Sequence, residues 1–300
     1  MNGPGAYGEV HGDVNGRAGG GVYGQANGDV SGDADSGVDG RGAAGTWLRV
    51  PHPRRRARLR LVCFPHAGGS ARFFFPWLRA LPSSVELAAV QYPGRDDRLD
   101  EPMATHMDQI ARPLAAELAA WGDVPVVLFG HSMGAVAAFE TARALAATAP
   151  ERLRALFVSA HPAPADTRRG ELHQRDDEAL LAELNRLSGT DPRLFDDEGL
   201  RELLLPAVRG DFRLIERYRY RPGPPLKCPV TALVGSSDEG VPTHLAEGWW
   251  QYTTGPFTLR ALRGDHFYLV PRREELVAYL LTSLGVRTGR APAGAWLSTP

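Results

Sequence analysis

The chain has 300 residues, 34 basic against 35 acidic side chains, a net charge of −1 and two cysteines. So balanced a charge offers no basic surface for nucleic acid, and two cysteines cannot build a disulfide framework. No apolar run approaches the ~18 residues of a membrane span, and the N-terminus lacks the basic-then-apolar order of a secretion signal, so a cytoplasmic protein with Cys63 and Cys228 as buried thiols is expected.

Residues 1–45 hold 15 of the 34 glycines and repeat units such as Gly12-Asp13-Val14 and Gly28-Asp29-Val30. This composition cannot bury enough surface to offset the entropy of ordering, so a disordered leader with no function is expected. Residues 46–285 suit one α/β domain with a sizeable core. The Gly/Pro/Ala-rich stretch 286–300 reads as a flexible tail.

Order is expected from Trp47. Arg58 to Phe64 alternates and then turns fully apolar, the pattern of a strand entering a buried sheet. The preceding Arg54-Arg55-Arg56 reads as a solvated flank. Pro65-His66-Ala67-Gly68-Gly69-Ser70 follows as a turn whose N–H groups can point inward. Phe73-Phe74-Phe75 and Trp77 read mainly as core, with Phe73 and Phe74 as candidates for the wall of a binding pocket. Val85 to Tyr92 predicts a second strand, closed by Pro93-Gly94. Ile110, Leu114, Leu118 and Trp121 have helical spacing, and Pro125 to Phe129 is a third strand.

Gly130-His131-Ser132-Met133-Gly134 then sits between that strand and an Ala-rich helix from Ala135 to Ala147. This strand–turn–helix context makes the Gly-x-Ser-x-Gly pattern a nucleophile elbow. Gly130 and Gly134 let strand and helix close on each other, and the helix N-terminus offers free N–H groups beside Ser132. Leu153 to Ser159 is a fourth strand.

Strands alternating with helices predict a mainly parallel sheet covered on both faces. From Pro162 to Pro225 the strand pattern stops, and the charged helical segments 176–187 and 199–220 read as an inserted helical subdomain. In the second, Leu205, Val208, Phe212 and Ile215 share one face, and Pro206 marks its first turn or a kink. Arg209, Arg213 and Arg217 share another, read as solvated, with docking of an acidic protein as the alternative. Strands return at Pro229 to Val234 and Phe257 to Leu262, ending in Gly235-Ser236-Ser237-Asp238 and Arg263-Gly264-Asp265-His266, and a helix from Arg273 to Leu284 closes the domain.

A serine nucleophile needs a base and a group to orient it. Asp238 and His266 each follow a late apolar strand, in the chain order Ser, Asp, His. His266 is expected to take the Ser132 proton while Asp238 fixes its tautomer. Asp265, adjacent in sequence, should point away. The backbone N–H groups of Ala67 and Met133 are the expected oxyanion donors. His131 reads as packing at the elbow, and His66 as a structural hydrogen-bonding residue with substrate contact as the alternative.

The segments Pro65-His66-Ala67-Gly68-Gly69, Pro93-Gly94-Arg95, Gly130-His131-Ser132-Met133-Gly134, Leu204-Leu205-Pro206-Ala207-Val208-Arg209-Gly210-Asp211-Phe212 and Gly264-Asp265-His266-Phe267 fall in an order that resembles type II thioesterases of polyketide and non-ribosomal peptide biosynthesis. The likeness covers about residues 57–285; the leader lies outside it. It implies an α/β-hydrolase fold whose 162–225 insertion is a mobile lid. It also implies hydrolysis of acyl groups from the phosphopantetheine thiol of acyl carrier proteins through an acyl-enzyme, with Ser132, Asp238 and His266 as the triad. No metal or cofactor is expected beyond the phosphopantetheine of the substrate, and carrier-protein domains are the expected partners of a monomer. The alternatives are a carboxylesterase or lipase acting on free esters, and a non-catalytic carrier-protein-binding accessory.

Overall fold

The computed structural model describes residues 47–167, 169–187 and 197–287, so the leader 1–45 and residues 288–300 lie outside the described residues. Seven strands, β1 (Leu48–Arg49), β2 (Leu59–Phe64), β3 (Val85–Val90), β4 (Val126–His131), β5 (Leu153–Ser159), β6 (Val230–Gly235) and β7 (Phe257–Leu262), form one sheet in the order β1-β3-β2-β4-β5-β6-β7. Every pairing is parallel except β1 with β3. The six longer strands match the sequence reading; β1, two residues on the sheet edge, does not appear in it.

A parallel sheet needs cover on both faces, and the strands show how it is supplied. In β2, Val62 and Phe64 join helices α1 (Asp108–Ala120) and α2 (Met133–Thr148) on one face. Leu59, Leu61 and Cys63 join Phe74, Trp77 and helix α6 (Arg273–Ser283) on the other. Val126 and Leu128 of β4 divide from Val127 and Phe129 in the same way. Both cysteines are free and buried, as expected.

Between β5 and β6 the described residues contain no strand. Helix α3 (Asp177–Leu187) and helix α4 (Glu198–Arg217) occupy this stretch and share a small apolar cluster of Leu180, Leu184, Leu205 and Val208. Asp197 caps α4 by accepting the Leu200 N–H at 2.9 Å. Pro206 lies inside α4 rather than in its first turn. The arginine stripe also divides. Arg209 reaches Asp177 at 2.5 Å and the carbonyl oxygens of His173 and Arg175, tying α4 to the start of α3, while Arg213 and Arg217 are exposed. A short helix, α5 (Thr243–Glu247), completes the α-helices of the described residues.

β3 lies to one side of β2, and β5 to the other side of β4, so the strand order reverses between β2 and β4. The loops leaving the C-terminal ends of these two strands open a crevice, where open α/β sheets bind ligands. Phe64 of β2 is in register with Gly130 of β4, so the turn after Phe64 and the turn carrying Ser132 leave the sheet side by side.

Candidate active site

Ser132 links β4 to α2 with φ 55° and ψ −123°, a backbone conformation L side chains rarely adopt. The surrounding packing maintains it. The Ser132 N–H donates to the Ser159 carbonyl at 2.8 Å. A Cβ on Gly130 would lie 2.1 Å from the Gly134 carbonyl oxygen, and one on Gly134 would lie 2.2 Å from that of Phe64. Strand, helix and the neighbouring β2 therefore meet backbone to backbone, and α2 begins immediately after the serine.

Asp238 follows β6 and His266 follows β7. His266 Nδ1 and Asp238 Oδ2 are 2.7 Å apart, and both side chains are buried. The second oxygen, Oδ1, accepts the Gly240 and Val241 N–H groups at 2.9 and 3.3 Å. Burial pushes this carboxyl up, but the hydrogen bond and charge of His266 and the two backbone donors outweigh it and hold Asp238 below the usual range. A carboxylate can only accept, so Nδ1 carries the proton and Nε2 presents its lone pair. Among the described residues His266 Nε2 has no hydrogen-bond partner, and no bond to Ser132 Oγ is formed. Asp265 is exposed and caps the Phe267 N–H at 2.9 Å, turned away from the His266 pair.

Ser132, Met133, His66, Ala67, His161, His266 and Phe267 line one cavity of about 520 Å³ roofed by residues 169–187 and α4. The Ala67 and Met133 amides have no hydrogen-bond partner among the described residues. Three neutral imidazoles surround His266. Burial, then the nearby charges of His266 and Arg95, holds His66 at about 3, and His161 is held at about 4 mainly by burial. His131 is likewise pushed well down; its Nδ1 lies 2.9 Å from Ser159 Oγ, itself 2.7 Å from Tyr268 Oη. His131 thus bonds behind the elbow, as a packing residue would.

Two expectations need correction. His66 makes no side-chain hydrogen bond among the described residues; its Nδ1 is buried without a partner and its ring stands edge-on to Phe73 and Phe267, each 4.7 Å away. Phe73 and Phe74 do not reach the cavity. They lie on a 3-10 helix, Ala71–Ala80, that turns Phe74 fully into the core against Trp77 and Phe129 and leaves Phe73 behind His66.

Sequence reasoning assigned no role to Arg95 and Asp211, 116 residues apart. Arg95 Nη1 and Nη2 meet Asp211 Oδ2 and Oδ1 at 2.5 and 2.7 Å, both residues are buried, and the Gly68 N–H donates to Asp211 at 2.8 Å. A lone acid three residues after Val208 and three before Leu214, on the buried side of α4, was the available signal. A larger groove of about 1720 Å³ lies where α1, α2 and the C-terminal end of α4 meet; Arg217 lines it, and none of the candidate catalytic, oxyanion or pocket residues does. Among the described residues no three His, Cys, Asp or Glu side chains are grouped to hold a metal ion, and no helix is long and apolar enough to cross a membrane.

Residues 59–284 match the model of the thioesterase domain. The chain is 43% identical over 251 residues to Thioesterase PikA5 of Streptomyces venezuelae, covering 83% of this chain and 89% of that protein. The type II thioesterase BorB from the borrelidin biosynthetic cluster superposes with a TM-score of 0.74 at 45% identity, over 80% of this chain and 98% of that one. YbtT, a type II thioesterase from the yersiniabactin NRPS/PKS pathway, does so at 0.70 and 33% identity, over 79% and 98%.

Proposed function

The chain belongs to the thioesterase family, and on that premise we propose that it hydrolyses acyl groups from the phosphopantetheine thiol of acyl carrier protein domains, editing a polyketide or non-ribosomal peptide synthase. The similarity to BorB, from a biosynthetic cluster, and to YbtT, from an NRPS/PKS pathway, supports the synthase setting. The observation that carries the chemistry is the buried Asp238–His266 pair, whose Nε2 is unpartnered on a ring that lines the same cavity as Ser132.

Ser132 Oγ attacks the thioester carbonyl carbon as His266 Nε2 takes the hydroxyl proton. The carbonyl oxygen becomes an oxyanion that the Ala67 and Met133 amides receive. One such donor is typically worth roughly 3 kcal/mol. The tetrahedral intermediate collapses, the C–S bond breaks, and the proton on His266 passes to the departing thiolate. A thiol of pKa about 8.5 leaves far more readily than an alcohol. Water then attacks the acyl-serine with His266 again as base, releasing the acid and restoring Ser132. Asp238 holds the tautomer and stabilises the imidazolium. The serine–histidine bond that is open here is one that commonly closes only when substrate is bound. The cavity volume lies within the usual ~300–1,000 Å³ of ligand sites, and residues 162–225 act as its lid.

The test compares ethyl esters with acyl-pantetheine or acyl-carrier-protein thioesters of the same acyl chain. Faster thioester turnover, lost in Ser132→Ala, supports the proposal. A preference for the oxygen ester assigns a carboxylesterase instead. A Ser132→Ala protein that keeps its full effect in the producing cell assigns a binding accessory.

A further inference from the structure

We infer that Asp211 and Arg95 are positioning residues for the oxyanion hole: α4 reaches down through this ion pair to fix the loop that carries the Ala67 amide, so the hole is complete only while α4 is seated. The inference rests on the serine chemistry proposed above.

The loop from Pro65 to Ser70 is held by few contacts of its own, chiefly the turn in which the Gly69 N–H donates to the His66 carbonyl at 3.0 Å. Its remaining anchors come from distant parts of the chain. Tyr92 Oη donates to the Pro65 carbonyl at 3.1 Å, on one side of Ala67. On the other side, Arg95 Nη1 donates to the Gly69 carbonyl at 3.0 Å and the Gly68 N–H donates to Asp211 Oδ2 at 2.8 Å. The same Oδ2 accepts from Arg95, so one carboxylate from α4 closes the arrangement. The Ala67 amide is thus clamped between a tyrosine beyond β3 and an acid on α4.

The helix also rests directly on the loop. Gly68 has φ +77°, and a Cβ there would lie 2.8 Å from Val208 Cγ2. Glycine serves both the left-handed backbone and the space that α4 needs. Asp211 and Arg95 are 4% and 7% exposed, so neither charge meets water while the helix is down. Lifting α4 separates the pair, hydrates both charges and takes the acceptor from Gly68. The preorganised donor then becomes a mobile one. Preorganisation gives an oxyanion hole its effect, and a displacement of about 1 Å can cost ~10²-fold in rate.

Two variants of the full chain test this. Asp211→Asn removes the charge, and Arg95→Met with Asp211→Leu replaces the pair by an apolar contact, a change buried ion pairs often tolerate without loss of stability. Neither residue of the second variant can accept from Gly68 or donate to Gly69. The readouts are kcat and KM on an acyl-pantetheine thioester, the Ki of a trifluoromethyl ketone carrying the same acyl chain, and Tm. The ketone adds to Ser132 and places an oxyanion in the hole. In both variants kcat should fall about 10²-fold with KM nearly unchanged, and the ketone should weaken by the same factor, as loss of one preorganised donor demands. The apolar pair should show this at a Tm near that of the unaltered protein. A folded variant with the original kcat and ketone affinity overturns the inference, as does a loss carried by KM alone. An unaltered protein that turns over no thioester overturns the functional reading, and this inference with it; an active one matched by its variants overturns this inference only.

Discussion

Three buried imidazoles, His66, His131 and His161, set how this fold should respond to mild acid, and two of them give it a magnitude. His161 is held at about 4 and His66 at about 3, both chiefly by burial, against ~6.5 in an unfolded chain. At pH 5 the native protein keeps both neutral while the unfolded chain protonates both. A group depressed in the fold binds more protons when unfolded, so its stabilisation is complete above about pH 6.5 and is lost as pH falls toward the folded value. Between pH 7 and 5 the linkage gives a loss of about 2 kcal/mol for each histidine. Asp238 adds nothing in this window, because its depressed carboxyl loses stability only below its unfolded value near 3.8. The perturbation is His161→Asn, whose amide can still donate to the Pro162 carbonyl that His161 Nδ1 reaches at 2.8 Å. Urea unfolding at pH 7 and pH 5 measures the change in each protein. The variant should lose about 2 kcal/mol less than the unaltered chain, since every other titrating group cancels in the difference. Equal losses in the two proteins would refute the burial argument.

Ser132→Gly should abolish turnover yet raise stability. The serine stands at φ 55° and ψ −123°, strain of about 1–3 kcal/mol that glycine largely escapes, so a net gain of roughly 1 kcal/mol and a Tm higher by about 2–4 °C are expected by calorimetry. An unchanged or lower Tm would contradict it. Arg213→Glu with Arg217→Glu should raise KM for an acyl carrier protein and leave a small pantetheine thioester unaffected, because both side chains are exposed on α4 and such charges act by complementarity with an acidic partner. Equal effects on both substrates would remove the docking role.

The elements that build the sheet were legible because their signals are local. β2 and β4 to β7 are short apolar runs ended by turn residues, and Gly130 and Gly134 flag the elbow by what they lack. Asp238 and His266 were legible through position, since the ends of parallel strands share one edge. The unread parts have no local signal. β1 is too short to show a period. Three consecutive phenylalanines do not show which ring faces a pocket; that depends on a 3-10 turn, which sends Phe74 into the core instead of the cavity. Arg209 shares spacing with Arg213 and Arg217, but only the fold brings Asp177 to it. The Arg95–Asp211 pair joins positions that no sequence window can span.

The short side chains of α2 have a consequence for how differently the two amides are secured. Gly134, Ala135, Ala137, Ala138 and Ala142 are all buried, and the helix backbone comes close enough to β4 to exclude even a methyl group at Gly130. Main chain touching main chain leaves nothing to repack, so the height of Ser132 and the aim of the Met133 N–H are inflexible. The Ala67 N–H stands on a loop secured by side chains, so its aim depends on Tyr92, Arg95 and Asp211 staying in place. A single substitution can therefore unfasten that donor alone, with the other serving as a fixed reference.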